Sequence, residues 1–214
     1  MLLETTKFHI LMYPKVIAKG DVAMKEASKT LHLGAVLGKS EMMLDALGDG
    51  ADPNDRDDSG ATALAQAIAN YNPHVFEVLF TNGVSPNSMA IPGEPAIVVA
   101  CGITRPSLLG IQTLLRWGAD INVRGRQGYT PLSIAVESGM EDMAELLLEH
   151  GADVNMATSY GLTPLMLAAR DGFVDLVKLL LAKGADKRLL DREGTDAKAY
   201  AASGNHEEVV RILS

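Results

Sequence analysis

Few residues in this sequence are of types that could carry chemistry, and their spacing works against it. Cys101 is the single cysteine, and a nucleophilic thiol needs a neighbouring base to remove its proton. It follows the apolar run Ile97-Val98-Val99-Ala100, which predicts a buried and inert thiol. No two histidines lie within one helical turn of each other, so no helix face offers a pair of metal ligands; they are His9, His32, His74, His150 and His206.

One acidic run resembles a calcium loop. Asp55, Asp57 and Ser59 alternate along it, and Gly60 takes the place of the turn glycine. A calcium loop closes on a glutamate that holds the ion with two oxygens, whereas the closing position here is Gln66. We therefore expect an acidic surface turn and no metal site.

Sequence motifs of enzymes are missing as well. The chain has no Gly-x-x-x-x-Gly-Lys phosphate loop, no Gly-x-Gly-x-x-Gly fingerprint, no Gly-x-Ser-x-Gly elbow and no His-Glu-x-x-His pair. We predict a protein without catalytic residues, cofactor or metal. A remote alternative is a cryptic hydrolase or transferase that uses Cys101, built from residues 1–28 and an irregular segment around the cysteine.

Composition narrows the class of partner. The 214 residues carry a formal net charge of −8 and no run of lysine or arginine, so neither nucleic acid nor an anionic membrane surface is expected to bind. No stretch approaches the ~18 apolar residues of a membrane span. With one cysteine and no signal-like N-terminus, we predict a cytoplasmic protein.

An internal repeat organises most of the sequence. The segment Gly118-Ala119-Asp120-Ile121-Asn122 has counterparts that begin at Gly50, Gly83, Gly151 and Gly184, with spacings of 33, 35, 33 and 33. A second marker runs in phase, because Gly128-Tyr129-Thr130-Pro131-Leu132 matches Gly161-Leu162-Thr163-Pro164-Leu165. Thr130 and Thr163 are suited to cap a following helix, and the prolines fit its first turn.

This period, with Thr-Pro-Leu opening the units, resembles the ankyrin repeat. The resemblance implies an all-α solenoid of helix-turn-helix units joined by β-hairpin-like fingers. We predict about six units in a domain over residues 29–214, beginning near Lys29, Asp57, Ala90, Gly125, Thr158 and Asp191. It also implies that His32 is a structural histidine, hydrogen-bonded to the neighbouring loop.

Some segments depart from the repeat. The third unit is two residues longer than the others, and we expect the extra length between its helices, around residues 102–107. The last unit has an uncertain register, with an extra residue predicted near Gly204-Asn205-His206. Residues 1–28 carry no marker and are predicted to cap the first unit, with direct contact to a partner as the alternative.

Ankyrin proteins mostly bind other proteins through finger tips and the concave face of the first helices, and the resemblance implies that mode here. The tips differ between units, and some carry apolar or aromatic side chains such as Leu189 and Leu190 in the last finger. We predict partner contacts at finger and groove positions, which are Met89, Ile91, Trp117, Arg124, Arg126, Tyr129, Glu137, Met156, Tyr160, Arg170 and Asp171.

Two of these positions have open alternatives. Met89 and Ile91 either contact a partner or fold back onto the irregular third unit. Trp117 stands where other units carry Asp49, Asn82, His150 or Lys183, and is either an exposed anchor or a lid over the insertion.

The predicted function is therefore non-enzymatic protein binding by a chain that is a monomer on its own. A stoichiometric inhibitor, an immunity-type antagonist or a regulatory subunit fits a chain that is little more than the repeat array. The alternatives are a scaffold or adaptor segment of a larger assembly and a self-associating unit.

Overall fold

The structure is a computed structural model, and it describes residues 26–214. The chain divides into two compact units, one ending at Gly118 and the other formed by Ala119–Ser214. Helix α1 begins at Glu26, so the predicted cap over residues 1–28 lies, apart from its last three residues, outside the described part of the chain.

The described part of the first unit, residues 26–118, contains three helix pairs and one hairpin. Helix α1 packs against both its partner α2 and the next first helix α3, and α3 packs in turn against α5. The elements are α1 (Glu26–Leu37), α2 (Ser40–Gly48), α3 (Ala63–Ala69), α4 (Phe76–Thr81), β1 (Met89–Ile91), β2 (Glu94–Pro95), α5 (Ala96–Gly102) and α6 (Leu108–Arg116).

The second unit repeats the helix pair three times. Helix α9 lies between α7 and α11, and α10 contacts α8 and α12, so first helices form one layer and second helices another. The elements are α7 (Pro131–Glu137), α8 (Glu141–Glu149), α9 (Pro164–Asp171), α10 (Val174–Ala182), α11 (Ala197–Ser203) and α12 (Glu207–Leu213).

The repeat markers sit where local chemistry needs them. Thr130 and Thr163 accept hydrogen bonds from the backbone N–H groups three residues on, and the prolines after them open α7 and α9, as predicted. Each second helix except α12 is followed by a glycine whose φ lies between 88° and 92°, a left-handed conformation that costs other residues ~1–2 kcal/mol. These glycines are Gly50, Gly83, Gly118, Gly151 and Gly184.

The core between the helices is aliphatic. Leu132, Leu147 and Leu165 are fully buried, because each helix pair exposes an apolar face that its neighbour covers. The predicted structural role of His32 is confirmed, since its ring nitrogens lie 2.9 Å from the Ser28 carbonyl oxygen and 3.3 Å from that of Ala61.

Two departures from the repeat can now be placed. The predicted extra length of the third unit is confirmed between its helices, since five residues separate α5 from α6 whereas two separate α9 from α10. The prediction of an extra residue in the last unit is wrong. Asp196 caps α11, 33 residues after Thr163, and Asn205 takes the left-handed turn conformation 33 residues after Gly172, so the register is unbroken.

Candidate protein-binding surface

The extended segments that precede the first helices α3, α5, α7, α9 and α11 are the fingers, and hydrogen bonds join neighbouring fingers within each unit. We use this name for residues 51–62 and 84–95 of the first unit and 119–130, 152–163 and 185–196 of the second. The side-chain oxygen of Asn122 accepts from the Asp153 backbone N–H at 2.8 Å, and Asn155 accepts from Asp186 at the same distance. These two bonds fix the three fingers of the second unit relative to one another.

Arginine side chains brace the fingers nearer their tips. The Arg124 guanidinium donates to the Ala157 carbonyl oxygen at 2.5 Å, reaching the finger one module further along. Arg56 makes the same connection in the first unit, donating to Met89 O at 2.8 Å. Arg124 was predicted as a partner contact; the structure gives its guanidinium a role in joining fingers, and contact with a partner stays a prediction.

The tips of the last two fingers carry exposed apolar side chains. Tyr160 is 53% exposed and Leu190 is 60% exposed. The two tips touch, since the Arg192 backbone N–H donates to Tyr160 O at 3.3 Å. Met156 is partly buried in the same finger as Tyr160, and Arg126 is exposed in the finger before it.

Tyr129 does not lie at a tip, which corrects the prediction of an exposed side chain there. Its ring is only 6% exposed, and its hydroxyl donates to Glu137 Oε1 at 3.0 Å. Burial, followed by the negative charge of Glu137, raises the pKa of Tyr129 above its usual range. The residue precedes the capping threonine directly, so its side chain packs inward when α7 begins, and it stabilises the groove rather than presenting a surface.

The groove beside the fingers holds an ion-pair network. Arg170 donates to Glu137 at 3.1 Å and to both oxygens of Asp171 at 3.0 Å, so α9 is tied to α7 one module away. Hydrogen bonds to Asp171 raise the pKa of Arg170, against the opposing effect of burial. All three predicted groove residues therefore lie together, as a preorganised polar cluster.

Tyr200 repeats this theme in the next module, a contact that the sequence analysis missed. Its hydroxyl donates to Asp191 at 2.6 Å, and burial together with that carboxylate raises the pKa of Tyr200 to about 12. The repeat pattern gives no signal for this hydrogen bond, because the residue of α9 that corresponds to Tyr200 of α11 is Leu167.

In the first unit, the predicted apolar tip belongs to the hairpin. Met89 is exposed at the start of β1, Ala90 is buried, and Ile91 is partly buried. Ala90 O accepts from the backbone N–H and the hydroxyl of Thr62, so the hairpin is fixed to the preceding finger.

Trp117 packs against Phe80, with ring centroids 5.3 Å apart, and is still 38% exposed. It follows the end of α6, whereas the insertion precedes α6, and the ring that it contacts belongs to α4 of the preceding helix pair. An aromatic ring supported from behind and open in front is a suitable anchor for a partner.

The residues singled out for chemistry have other roles. Cys101 is fully buried, and burial raises the pKa of its thiol far above the usual range, so the reactive thiolate is disfavoured. In the acidic turn, Asp57 accepts hydrogen bonds from Ser59, Ala61 and Gln66. The carboxylate oxygens of Asp57, which a calcium ion would need as ligands, are thus used in hydrogen bonds that close the turn.

Within residues 26–214, no group of three or more histidine, cysteine, aspartate or glutamate side chains is placed to hold a metal ion. Of the helices described, none is both long and apolar enough to cross a membrane.

Comparison with known proteins agrees with this architecture. The family model described as ankyrin repeats (3 copies) matches residues 64–158 and 154–214, and the chain therefore belongs to the ankyrin-repeat family. Its predicted fold class is confirmed by a solved ankyrin repeat domain from Acinetobacter baumannii AYE, which superposes with a TM-score of 0.77. That structure is 26% identical and the match covers 86% of this chain and 95% of the other.

A curated relative is the B-cell lymphoma 3 protein homolog of Mus musculus, 33% identical over 88 residues. The match covers 40% of this chain but only about a fifth of the relative's length, 20%. Membership of the family indicates a module for protein interaction, since ankyrin repeats generally serve in binding rather than catalysis.

Proposed function

We propose that this chain binds another protein through the finger tips and adjoining groove of residues 119–214, without chemistry of its own. The observation that carries the proposal is the pair of exposed apolar side chains, Tyr160 and Leu190, on neighbouring and hydrogen-bonded fingers. Exposed apolar groups on two adjoining fingers gain nothing from the fold, whereas a partner that covers them gains their burial.

Preorganisation supports the same surface. The Asn122–Asp153 and Asn155–Asp186 bonds hold the fingers in place before a partner arrives, so less entropy is lost on binding. Tyrosine and arginine dominate the energetics of protein interfaces, and Arg126 and Arg192 are exposed in the fingers on either side of Tyr160. Glu137, Arg170 and Asp171 add a fixed polar floor.

The finer role that we propose is a stoichiometric inhibitor, an immunity-type antagonist or a regulatory subunit that acts in the cytoplasm. In each of these roles, a rigid surface occupies a partner rather than converting a substrate. The chain is proposed to be a monomer until it meets that partner. A scaffold segment of a larger assembly would use the same tips.

The test is affinity capture of partners with quantitative mass spectrometry, using wild type beside a variant with Arg126→Ala, Tyr160→Ala and Leu190→Ala. All three side chains are exposed, so helicity and melting temperature should be unchanged. We expect one protein to be retained by wild type in near-equal amount and to fall at least tenfold with the variant.

A matched control replaces exposed charges in the middle of the second helices α8 and α10, Glu145→Ala and Lys178→Ala, at positions outside every finger. This control should retain the partner as wild type does. Equal retention by the finger variant, or equal loss in the control, would show that the fingers are not the binding surface.

A further inference from the structure

The turns that join first and second helices in the first unit carry solvent-exposed apolar side chains. We call these turns, residues 37–40, 70–75 and 102–107 together with the first turn of α6, the helix-turn edge. Tyr71 is 46% exposed and Leu109 is 57% exposed, and Leu37 and Leu108 are exposed as well. None of them is at a finger, so the proposed finger surface does not account for them.

Contacts across the edge make it one surface. The Asn72 amide donates to the carbonyl oxygens of Ala35 and Val36 at 3.0 and 2.8 Å, and His74 Nε2 lies 2.9 Å from Gly38 O. On the other side, Tyr71 and Ile103 line the same cleft. The second turn is thus in contact with both the first and the third.

The fold does not require these side chains. Tyr71 has a φ of 59°, at the turn position that Gly139 and Gly172 occupy in the second unit. A left-handed conformation costs a tyrosine ~1–2 kcal/mol, so stability alone favours glycine or asparagine. Likewise α6 begins with Leu108 and Leu109, whereas α8 begins with Glu141 and Asp142, and α12 with Glu207 and Glu208.

The charge of the helix-turn edge is opposite in sign to the net charge of the chain. Its three turns hold Lys39, His74 and Arg105 and no acidic residue, in a protein of net charge −8. Lys39 and Arg105 are exposed and enter no ion pair with any residue of the described range.

We propose that the helix-turn edge is a second docking site, which takes an acidic protein segment bearing aliphatic or aromatic side chains. The apolar side chains of the segment cover Tyr71, Ile103 and Leu109, and its carboxylates pair with Arg105 and Lys39. A membrane surface is the poorer occupant, because lipid-binding patches gather about four to eight cations. This site is independent of the finger surface.

The test is selection from a displayed library of random 12-residue peptides against the wild-type chain. Enriched peptides are synthesised, and their dissociation constants are measured with wild type, Leu109→Asp, Arg105→Glu and the finger variant Tyr160→Ala. Leu109 and Arg105 are exposed, so both edge variants should keep the circular dichroism and melting temperature of wild type.

We expect peptides that combine acidic with aliphatic or aromatic residues, bound at least tenfold more weakly by each edge variant and unchanged by Tyr160→Ala. Peptides with asparagine and glutamine in place of the acids should also bind at least tenfold more weakly.

Failure to enrich any peptide, or equal binding by wild type and Leu109→Asp, would overturn the proposal. So would peptides that depend on Tyr160 alone, which would assign them to the fingers. Two other occupants are tested directly: concentration-dependent dimerisation of wild type that Leu109→Asp abolishes, or wild-type binding to phosphatidylserine vesicles that Arg105→Glu abolishes. Either result would also overturn it.

Discussion

At the scale of single residues, two tyrosines of consecutive fingers have opposite surroundings. The Tyr129 hydroxyl donates to Glu137 from a buried ring, whereas the Tyr160 ring stands in solvent. Tyr129→Phe should lower the free energy of unfolding by about 1–2 kcal/mol, because a hydrogen bond to a carboxylate is lost. Tyr160→Phe should change it by less than about 0.5 kcal/mol.

Urea denaturation of both variants checks this prediction under one set of conditions. Equal effects of the two substitutions would mean that the Tyr129 hydroxyl is not a structural donor, and that the groove is held together without it.

Asp57 is expected to make the free energy of unfolding depend on pH. Burial raises the pKa of this carboxyl, but hydrogen bonds from Ser59, Gln66 and the Ala61 backbone lower it by more, so the folded-state pKa lies below the usual value. A lowered pKa contributes stability above the unfolded-state value of about 3.9, which is lost as the pH falls through the folded-state value.

Asp57→Asn should therefore destabilise the protein at pH 7 and make stability fall less steeply from pH 5 to pH 3. Denaturant titrations at pH 7, 5, 4 and 3 measure the two slopes. Parallel slopes would remove Asp57 as a contributor to acid sensitivity. Asp45→Asn, exposed in the same unit, is the matched control.

Residue roles were predictable where the repeat or the local composition dictated them. The structural histidine, His32, followed from its position in the family pattern, and the buried Cys101 followed from the apolar run before it. The burial of Tyr129 could not be read from sequence, because it depends on Glu137 and Arg170 meeting across two modules.

At the scale of the elements, the helix ends depend on glycine in the left-handed conformation. Gly48 and Gly50 are two residues apart and a methyl group at either would meet no atom within 4 Å, but only Gly50 has a positive φ, 89°. Gly48→Ala should stabilise the protein by up to ~1 kcal/mol through helix propensity. Gly50→Ala should destabilise it by about 1 kcal/mol through backbone strain.

Thermal or urea unfolding of the two alanine variants separates these effects. The same sign for both substitutions would contradict the assigned helix end after α2.

Elements were largely predictable because caps and turn glycines act over a few residues. Thr130, Thr163 and the glycine series fixed helix starts and ends, and the insertion was placed correctly between α5 and α6. The last unit was misjudged because aspartate and asparagine replace the usual markers. Asp196 caps a helix as threonine does, and Asn205 tolerates the left-handed turn.

At the scale of the whole molecule, stability should be distributed from neighbour to neighbour. Leu147 is fully buried in α8, and Leu147→Ala should lower the free energy of unfolding by ~2–5 kcal/mol through loss of burial and a residual cavity. In a repeat array, the resulting faster hydrogen exchange should centre on α7, α8 and α10 and diminish with distance. Equal acceleration in every helix would contradict nearest-neighbour stabilisation.

The candidate site was only partly predictable at this scale. The sequence indicated which fingers carry unusual tips, since the residues at the tips differ from one unit to the next. It did not show that Arg124 braces a neighbouring finger or that Leu190 is exposed beside the Tyr160 finger, because both depend on contacts between modules.

The most direct test of the binding account is hydrogen exchange by mass spectrometry on the complex with the captured partner. The account predicts that binding slows exchange in the fingers, over residues 122–129, 155–162 and 188–195, while the exposed side of α8 and α10 is unchanged. Protection confined to α8 and α10, with finger exchange the same in free and bound protein, would contradict it.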